Sequence, residues 1–377
     1  MKILVYDNVD LTKIGGGEMN FHKKCATLAE LGHDVYALFP LRSFEEPQTK
    51  TNNYKMIFIK NDLRIKNYSI SILKIMKRIE QINPDIIYIN DGLSPTDALI
   101  LLTNKFTVKK PVFVSAQAFY RNPLYNFLVK LQLPIYNLSN GIIVNNPNLK
   151  KTLLRWLIKP DKFLPFFDYQ FLVPNLPATV KKKENKVFQF LFVGVLDENH
   201  SYKGLDSLLK GIKWLKQKYY DEYAKLQFNI IGDGKLRNYY QSLAEKYEIS
   251  NVHFLGRLKS LEEFYDMSDA LVLPSKKRGE GFGFVVVEAL MHNLPVLVSK
   301  YAGSSFLVKK YNVGEVFDPY NRKDMAKTLI TLHKSCLQGT YEENIFKFQK
   351  EALIMKERAW EILVNAFEKA AGAPING

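Results

Sequence analysis

Two cysteines in 377 residues, Cys25 and Cys336, are too few and too scattered for a disulfide framework or a cysteine-based metal site. No apolar run reaches the length of a membrane-crossing helix, and the opening MKILVYDNVD reads as a strand, not a signal peptide. A cytoplasmic protein is the expectation that follows. Neither half of the chain carries a G-x-G-x-x-G turn, which argues against a dinucleotide-dependent oxidoreductase. No D-x-D pair stands out to hold a metal, and no motif of specific nucleic-acid recognition is present. Low-complexity tracts are missing, as are repeats beyond a two-fold recurrence of alternating strands and helices.

Positive charge is in surplus: 53 Lys and Arg stand against 38 Asp and Glu, formally +15. Such a balance suits nucleic acid, anionic lipid or phosphorylated substrates. A Lys-, Asn-, Ile- and Tyr-rich composition with lysines spread over solvated faces gives the same total. The length admits two domains, each able to bury a substantial core.

The most informative stretch is residues 274–298, PSKKRGEGFGFVVVEALMHNLPVLV. A buried strand ends at Pro274 and Ser275; a basic, glycine-punctuated loop follows, then a helical pattern over 283–292 and a strand over 295–299. The loop stands at the carboxyl end of its strand, where open α/β sheets bind ligands. Gly281 and Gly283, on either side of Phe282, let backbone N–H groups approach a ligand, and the helix behind them favours an anion. Glu280 precedes that helix and Glu288 lies within it. Carboxylates suit the neutral hydroxyls of a sugar and a ribose better than the phosphate itself. A phosphate flanked by two polyols describes a nucleotide sugar. Two glutamates at this separation arise by chance about once in such a chain, so the spacing gains weight from its surroundings.

The run resembles the donor-binding signature of GT-B glycosyltransferases, family four in particular, where PS…EGFG…E carries an E-x7-E motif. The N-terminal region agrees: a strand over residues 2–6, the turn Gly15-Gly16-Gly17-Glu18 and LAELGHDV at 28–35 are similar to that family's GGxE and LxxLGHxV. The resemblance implies an α/β fold of GT-B architecture, with two Rossmann-like domains whose parallel sheets face a central cleft, and a C-terminal helix crossing back to the first domain. An acceptor-side domain over 1–178, a donor domain over 187–345 and a helical tail over 346–377 are expected, with the basic run 181–186 as linker. The implied activity is that of a retaining hexosyltransferase needing no cofactor or metal. It would move a sugar from a UDP- or GDP-sugar to a hydroxyl of a glycan, a lipid-linked intermediate or a protein.

Residue by residue, Lys203 and Gly204 match the family's Lys-Gly pair, whose lysine contacts the donor phosphates. A lysine over a helix N-terminus suits a diphosphate on charge grounds as well. Gly16 and Gly17 would set amides near donor or acceptor, and Gly232 closes a strand in a Gly-Asp-Gly turn. Arg257 and Leu258 follow the Phe-Leu-Gly turn against which relatives hold the nucleotide base. Glu280 would orient the sugar and Glu288 hold the ribose. Front-face attack, in which the departing diphosphate takes the acceptor's proton, is favoured because Lys203 and backbone amides suffice to stabilise that leaving group. Glu280 and Lys203 are therefore the catalytic expectation.

Asn90, Asp91 and Gln117 end strands of the first half and are the acceptor-side candidates. Two positions depart from the family pattern. Val195 stands where an arginine is usual, with Lys276, Lys277 or Arg278 as candidate substitutes. Gln117 replaces a frequent histidine and cannot serve as a base at neutral pH. The alternative function is a degenerate member that binds nucleotide, lipid or membrane without catalysis. Residues 119–171 interleave cations with aromatics, Arg121 and Lys130 with Trp156, Phe163, Phe166 and Phe167. That mixture suits peripheral contact with an anionic membrane on its cytoplasmic face; a helix pair turned toward the core or cleft is the competing reading.

Overall fold

The structure is a computed structural model describing residues 1–8, 16–41, 53–60, 72–90, 92–117, 129–177, 187–258, 260–277 and 279–372. The chain forms two compact units: Met1–Leu172 with Met355–Gly377, and Val173–Ile354. The first division falls at Leu172/Val173; the expected linker, 181–186, lies outside the described residues.

Unit 1 is built on seven parallel strands: β1 (Lys2–Tyr6), β2 (Asp34–Leu41), β3 (Lys55–Lys60), β4 (Ile86–Ile89), β5 (Val112–Ala116), β6 (Gly141–Val144) and β7 (Phe163–Phe167). Their order is β3-β2-β1-β4-β5-β6-β7. Strands such as IIYI of β4 and VFVSA of β5 are buried along their whole length, as expected when helices cover both faces of a parallel sheet. The helices are α1 (Gly16–Glu30), α2 (Ile72–Ile82), α3 (Pro95–Phe106) and α4 (Pro147–Arg155), with a 3-10 segment at Leu133–Leu138. Helix α3 starts where local chemistry dictates: Ser94 and Asp97 form a capping box and Pro95 opens the first turn. Ile75 and Ile79 of α2, Leu101 of α3, Leu133 and Leu153 pack with Ile87, Val112 and Ile142 into one core.

That core corrects the reading of residues 119–171. Phe163, Phe166 and Phe171 are buried, and Trp156 and Phe167 pack partly buried against the same cluster. These rings fill unit 1 and are not a surface for lipid. The sequence pattern misled because β7, FLPFF, alternates too briefly to register as a strand, and its Pro165 is tolerated only because β7 is an edge strand. Residues 118–128 of the stretch, Arg121 among them, lie outside the described residues.

Unit 2 has six parallel strands in the order β10-β9-β8-β11-β12-β13: β8 (Phe188–Val193), β9 (Leu226–Ile231), β10 (Val252–Gly256), β11 (Ala270–Leu273), β12 (Val296–Ser299) and β13 (Gly314–Phe317). Its helices are α5 (Leu205–Lys218), α6 (Tyr220–Tyr223), α7 (Arg237–Lys246), α8 (Glu262–Met267), α9 (Val285–Met291), α10 (Ser305–Tyr311) and α11 (Arg322–Leu337). The last helix, α12 (Glu342–Ala371), begins in unit 2 and supplies its final turns to unit 1. Gln349 ties its start to the Leu290 carbonyl at 2.8 Å. Near its end, Phe367 stands edge-on to Phe113 at 4.7 Å, and Trp360 lies 4.4 Å from Phe171.

In both sheets the strand order reverses beside the first strand, between β1 and β4 in unit 1 and between β8 and β11 in unit 2. Connections leave in opposite directions at such a point and open a crevice at the carboxyl ends of the strands. Topology therefore singles out two places, one per unit.

Candidate active site

In unit 2 the chain leaves β8 through Gly194, makes a 3-10 turn at Ser201–Lys203, and enters α5. Gly204 has φ +76°, and a Cβ there would lie 2.0 Å from the Pro274 carbonyl oxygen. Only glycine permits that approach, which sets Lys203 beside the loop after β11. Lys203 Nζ donates to Glu280 Oε2 at 2.9 Å, and Ser275 Oγ donates to the same oxygen at 3.3 Å. The two charged side chains keep only 17% and 10% of their exposure. Burial alone would lower the Lys203 pKa, but the adjacent Glu280 charge, with lesser help from Tyr202 and Glu288, reverses this and raises it. The ammonium is therefore a fixed positive charge at neutral pH.

The loop carrying Glu280, Gly281, Phe282 and Gly283 is held from behind. Phe282 is buried, and a Cβ on Gly303 would come within 2.0 Å of the Gly281 carbonyl oxygen. Ser304 N donates to Phe282 O at 2.9 Å. Glu288, in α9, accepts from Tyr265 Oη of α8 at 2.7 Å. Burial first, and then the Glu288 charge, push the Tyr265 phenol well above its ordinary pKa, so it stays a donor and fixes the carboxylate. Tyr265 in turn stacks on His292 at 5.0 Å, whose Nδ1 lies 2.8 Å from Asp266. Gly232 N donates to Gly256 O at 2.8 Å, joining the turns after β9 and β10; exposed Arg257 and half-buried Leu258 follow.

The structure thus brings together Lys203, Gly204, Ser275 and Glu280, and holds Glu288 close enough for its charge to act on Lys203. Ser275 and Tyr265 were not anticipated. Of the suggested substitutes for an arginine at Val195, Lys276 is engaged by the Asp206 carboxylate at 2.6 Å. Lys277 is exposed with its backbone N–H on Tyr320 Oη, and Arg278 lies outside the described residues.

At the switch point of unit 1 lies a second polar cluster. Lys24 Nζ, fully buried, donates to Asp168 Oδ1 at 2.6 Å and to Asn90 Oδ1 at 2.7 Å. Asn90 Nδ2 donates to Asp7 Oδ2 at 2.6 Å. Gln117 Nε2 donates to Asp168 Oδ2 at 2.7 Å, and Asn145 Nδ2 donates to Gln117 Oε1 at 3.3 Å. Each of Asp7, Asn90, Gln117, Asn145 and Asp168 directly follows a strand, so the network runs along the carboxyl edge of β1, β4, β5, β6 and β7. Asn90 and Gln117 were anticipated; Asp91 lies outside the described residues. Gly16 opens α1, and Gly17 has open space where a side chain would go. Lys24, Asp7 and Asp168 were missed. One signal was available: Phe21, Cys25 and Leu28 mark the buried face of α1, and Lys24 falls on it.

Burial raises the Asp7 pKa to about 7, against the opposing hydrogen bond from Asn90, while Asp97 adds to the rise and Lys24 subtracts from it. A folded pKa above the unfolded one means the folded state holds an extra proton between about pH 4 and 7, so stability is lost as pH rises through that window. Asp7→Asn should therefore melt above the parent at about pH 8 in scanning calorimetry, with the gap shrinking toward pH 5. An equal difference at both pH values would show that Asp7 is ionised throughout.

Among the described residues no group of three His, Cys, Asp or Glu is placed to hold a metal ion, and no helix is long and apolar enough to cross a membrane.

Two family models match the sequence: glycosyl transferases group 1 over residues 178–344, and glycosyltransferase family 4 over residues 14–163. An uncharacterised glycosyltransferase of Haemophilus influenzae is 27% identical over 334 residues, 87% of this chain and 90% of that protein. The lipopolysaccharide glucosyltransferase WaaG of Escherichia coli is 25% identical over 219 residues, 57% of each chain. In three dimensions the chain is similar to Anabaena Alr3699/HepE in complex with UDP, with a TM-score of 0.74 at 15% identity, covering 97% of this chain and all of that one. The parallel sheets, the two matching models and this likeness of fold lead to one assignment: the chain is a GT-B glycosyltransferase of the family-four type.

Proposed function

We propose that this enzyme transfers a hexose, with retention of configuration, from a nucleoside-diphosphate sugar to a hydroxyl of a glycan, a lipid-linked intermediate or a protein. The observation that carries the reading is the Lys203–Glu280 pair at the switch point of the second sheet. An ammonium has three donors, and one serves Glu280, which leaves two for diphosphate oxygens. Both hydrogen bonds to Glu280 fall on Oε2, so Oε1 can accept from sugar hydroxyls. Glu288 is bound by Tyr265 through Oε2, and its Oε1 suits a ribose hydroxyl.

A carboxylate tied to a lysine and a serine is a poor nucleophile, which favours front-face transfer. In that step the bond from C1 to the phosphate oxygen breaks, the acceptor oxygen bonds to C1 from the same side, and its proton passes to the departing diphosphate. Lys203 stabilises the charge that develops there, so no protein base is required and a glutamine at 117 is no obstacle. The similarly folded Anabaena protein is seen with UDP, which makes UDP the first choice of donor nucleotide, with GDP second.

Calorimetric titration of the parent and of Glu288→Ala with UDP, GDP and ADP tests the reading. Saturable binding of UDP should weaken about 10- to 100-fold in the variant. Absence of binding by all three nucleotides would overturn the donor site, and proton NMR of the product linkage decides retention.

A further inference from the structure

Glu288 stands one turn into the short helix α9, and its side chain is long and rich in rotamers. A glutamate left free would surrender that freedom each time a ligand arrived, at a cost to affinity. Here the freedom is already gone. Tyr265, only 3% exposed, reaches from α8 and donates its Oη proton to Glu288 Oε2 at 2.7 Å. The end of α8 is itself fixed. Ser268 Oγ donates to Phe264 O at 2.7 Å. Asp269 meets Gln189 of β8 twice: its N donates to Gln189 O at 2.9 Å, and its Oδ2 accepts from Gln189 N at 2.7 Å. The phenol is therefore positioned from the sheet.

One face of the phenol ring is backed by His292, with ring centroids 5.0 Å apart and planes 26° from parallel. His292 belongs to the turn that ends α9, where its backbone N–H donates to Glu288 O at 3.2 Å and to Ala289 O at 3.0 Å. Asp266 sets the imidazole: Nδ1 lies 2.8 Å from Oδ1, and because a carboxylate accepts, Nδ1 carries the proton. Gln349 Nε2 donates to Asn293 Oδ1 at 2.8 Å and so holds the next residue of the same turn. Asp266, His292, Tyr265 and Glu288 form one chain in which each side chain is placed by the one before it.

The chain leaves a defined part of Glu288 available. Tyr265 occupies one acceptor site of Oε2, so the other site of Oε2 and both of Oε1 remain. Adjacent acceptors on a fixed carboxylate match the adjacent hydroxyls of a vicinal diol. They also reject a ring without those hydroxyls, because the carboxylate then gives up hydration and receives no donor in return. Tyr265, buried and with its proton spent on Glu288, is a positioning residue.

We propose that the Asp266–His292–Tyr265 chain sets how strongly this enzyme distinguishes a ribonucleotide from its deoxy counterpart, by holding the Glu288 carboxylate ready for the ribose diol. This role rests on Glu288 holding the ribose, as proposed above.

The test is calorimetric titration of the nucleotide that binds, UDP by expectation, against its 2′,3′-dideoxy analogue, which lacks the diol. The parent should favour UDP by about 10- to 100-fold. Tyr265→Phe removes one oxygen and keeps the ring. It should cut that preference by about 3- to 10-fold and leave affinity for the dideoxy nucleotide within about twofold. His292→Ala should cut the preference by about 2- to 5-fold and add little to Tyr265→Phe, since both act through one carboxylate. In a Glu288→Ala background, Tyr265→Phe should change the affinity for neither nucleotide. An undiminished preference in Tyr265→Phe would overturn the role of the chain and leave the donor site standing. Equal weakening of both nucleotides would do the same, because it would mark Tyr265 as packing alone. A parent that binds UDP and its dideoxy analogue equally, or binds no nucleotide, would remove the ribose role of Glu288 and this chain with it.

Discussion

Lys203→Met should lower kcat for transfer by about 10²- to 10³-fold, the usual cost of removing one donor that stabilises charge in a transition state. UDP binding should weaken less, because backbone amides and Glu288 remain. The loss has two physical sources. The departing diphosphate loses its fixed cation, and Glu280 loses the partner that positions it. Arginine should not restore the activity. The lysine stem passes so close to Gly194 that a Cβ there would lie 2.6 Å from Lys203 Cδ, and a planar guanidinium does not reproduce that path. Steady-state kinetics with saturating donor measure the effect, and a kcat within a few-fold of the parent would remove Lys203 from the mechanism.

Lys24→Met should be the most destabilising single change in unit 1, by about 3–5 kcal/mol, because it leaves the fully buried Asp168 without its counter-charge. Ser115 and Gln117 continue to donate to Asp168, but neither neutralises it. The discriminating measurement is the double variant with Asp168→Asn. Removing both charges should recover much of the loss, so the double variant should be well short of the sum of the singles. Urea unfolding followed by tryptophan fluorescence in a Trp214→Phe background reports unit 1 alone, since Trp156 and Trp360 lie in unit 1 and Trp214 in unit 2. Additive losses would show that Lys24 and Asp168 act independently.

The donor residues were legible because their chemistry is contiguous. Glu280 and Glu288 share one strand–loop–helix unit, and the glycines beside Phe282 announce close approaches: a Cβ on Gly283 would lie 2.4 Å from Leu273 Cδ2, and the Gly281 carbonyl oxygen packs against Gly303. Lys203 was legible from its Gly204 neighbour, although its bond to Glu280 spans 77 residues. The unit 1 network was not. Lys24 and Asp168 are 144 residues apart, and nothing local marks a buried ion pair except a lysine on the apolar face of a helix. The aromatic stretch failed for the opposite reason. Phe163 and Phe166 are abundant in a basic setting, and composition does not distinguish a ring in the core from a ring at a headgroup. Only pairing of β7 with β6 decides which way they point. Helix α3 shows the converse case, since its pattern reads as ordinary core and only the exposure of Leu99, Leu102 and Phe106 shows a second apolar side.

The path of α12 bears on how the chain is made. Unit 2 is an insertion in the sequence of unit 1, whose core closes only when Trp360 and Phe367 arrive. At ribosomal speed the 182 residues from Val173 to Ile354 take about 10–40 s to synthesise. Throughout that interval Phe113 and Phe171 lack the rings that later cover them. Unit 2 can fold as it emerges, while the half-made sheet of unit 1 waits with part of its hydrophobic core open. The domain whose first strand is synthesised earliest is thus the last to be finished, and nascent chains stalled within unit 2 are the ones most in need of a chaperone.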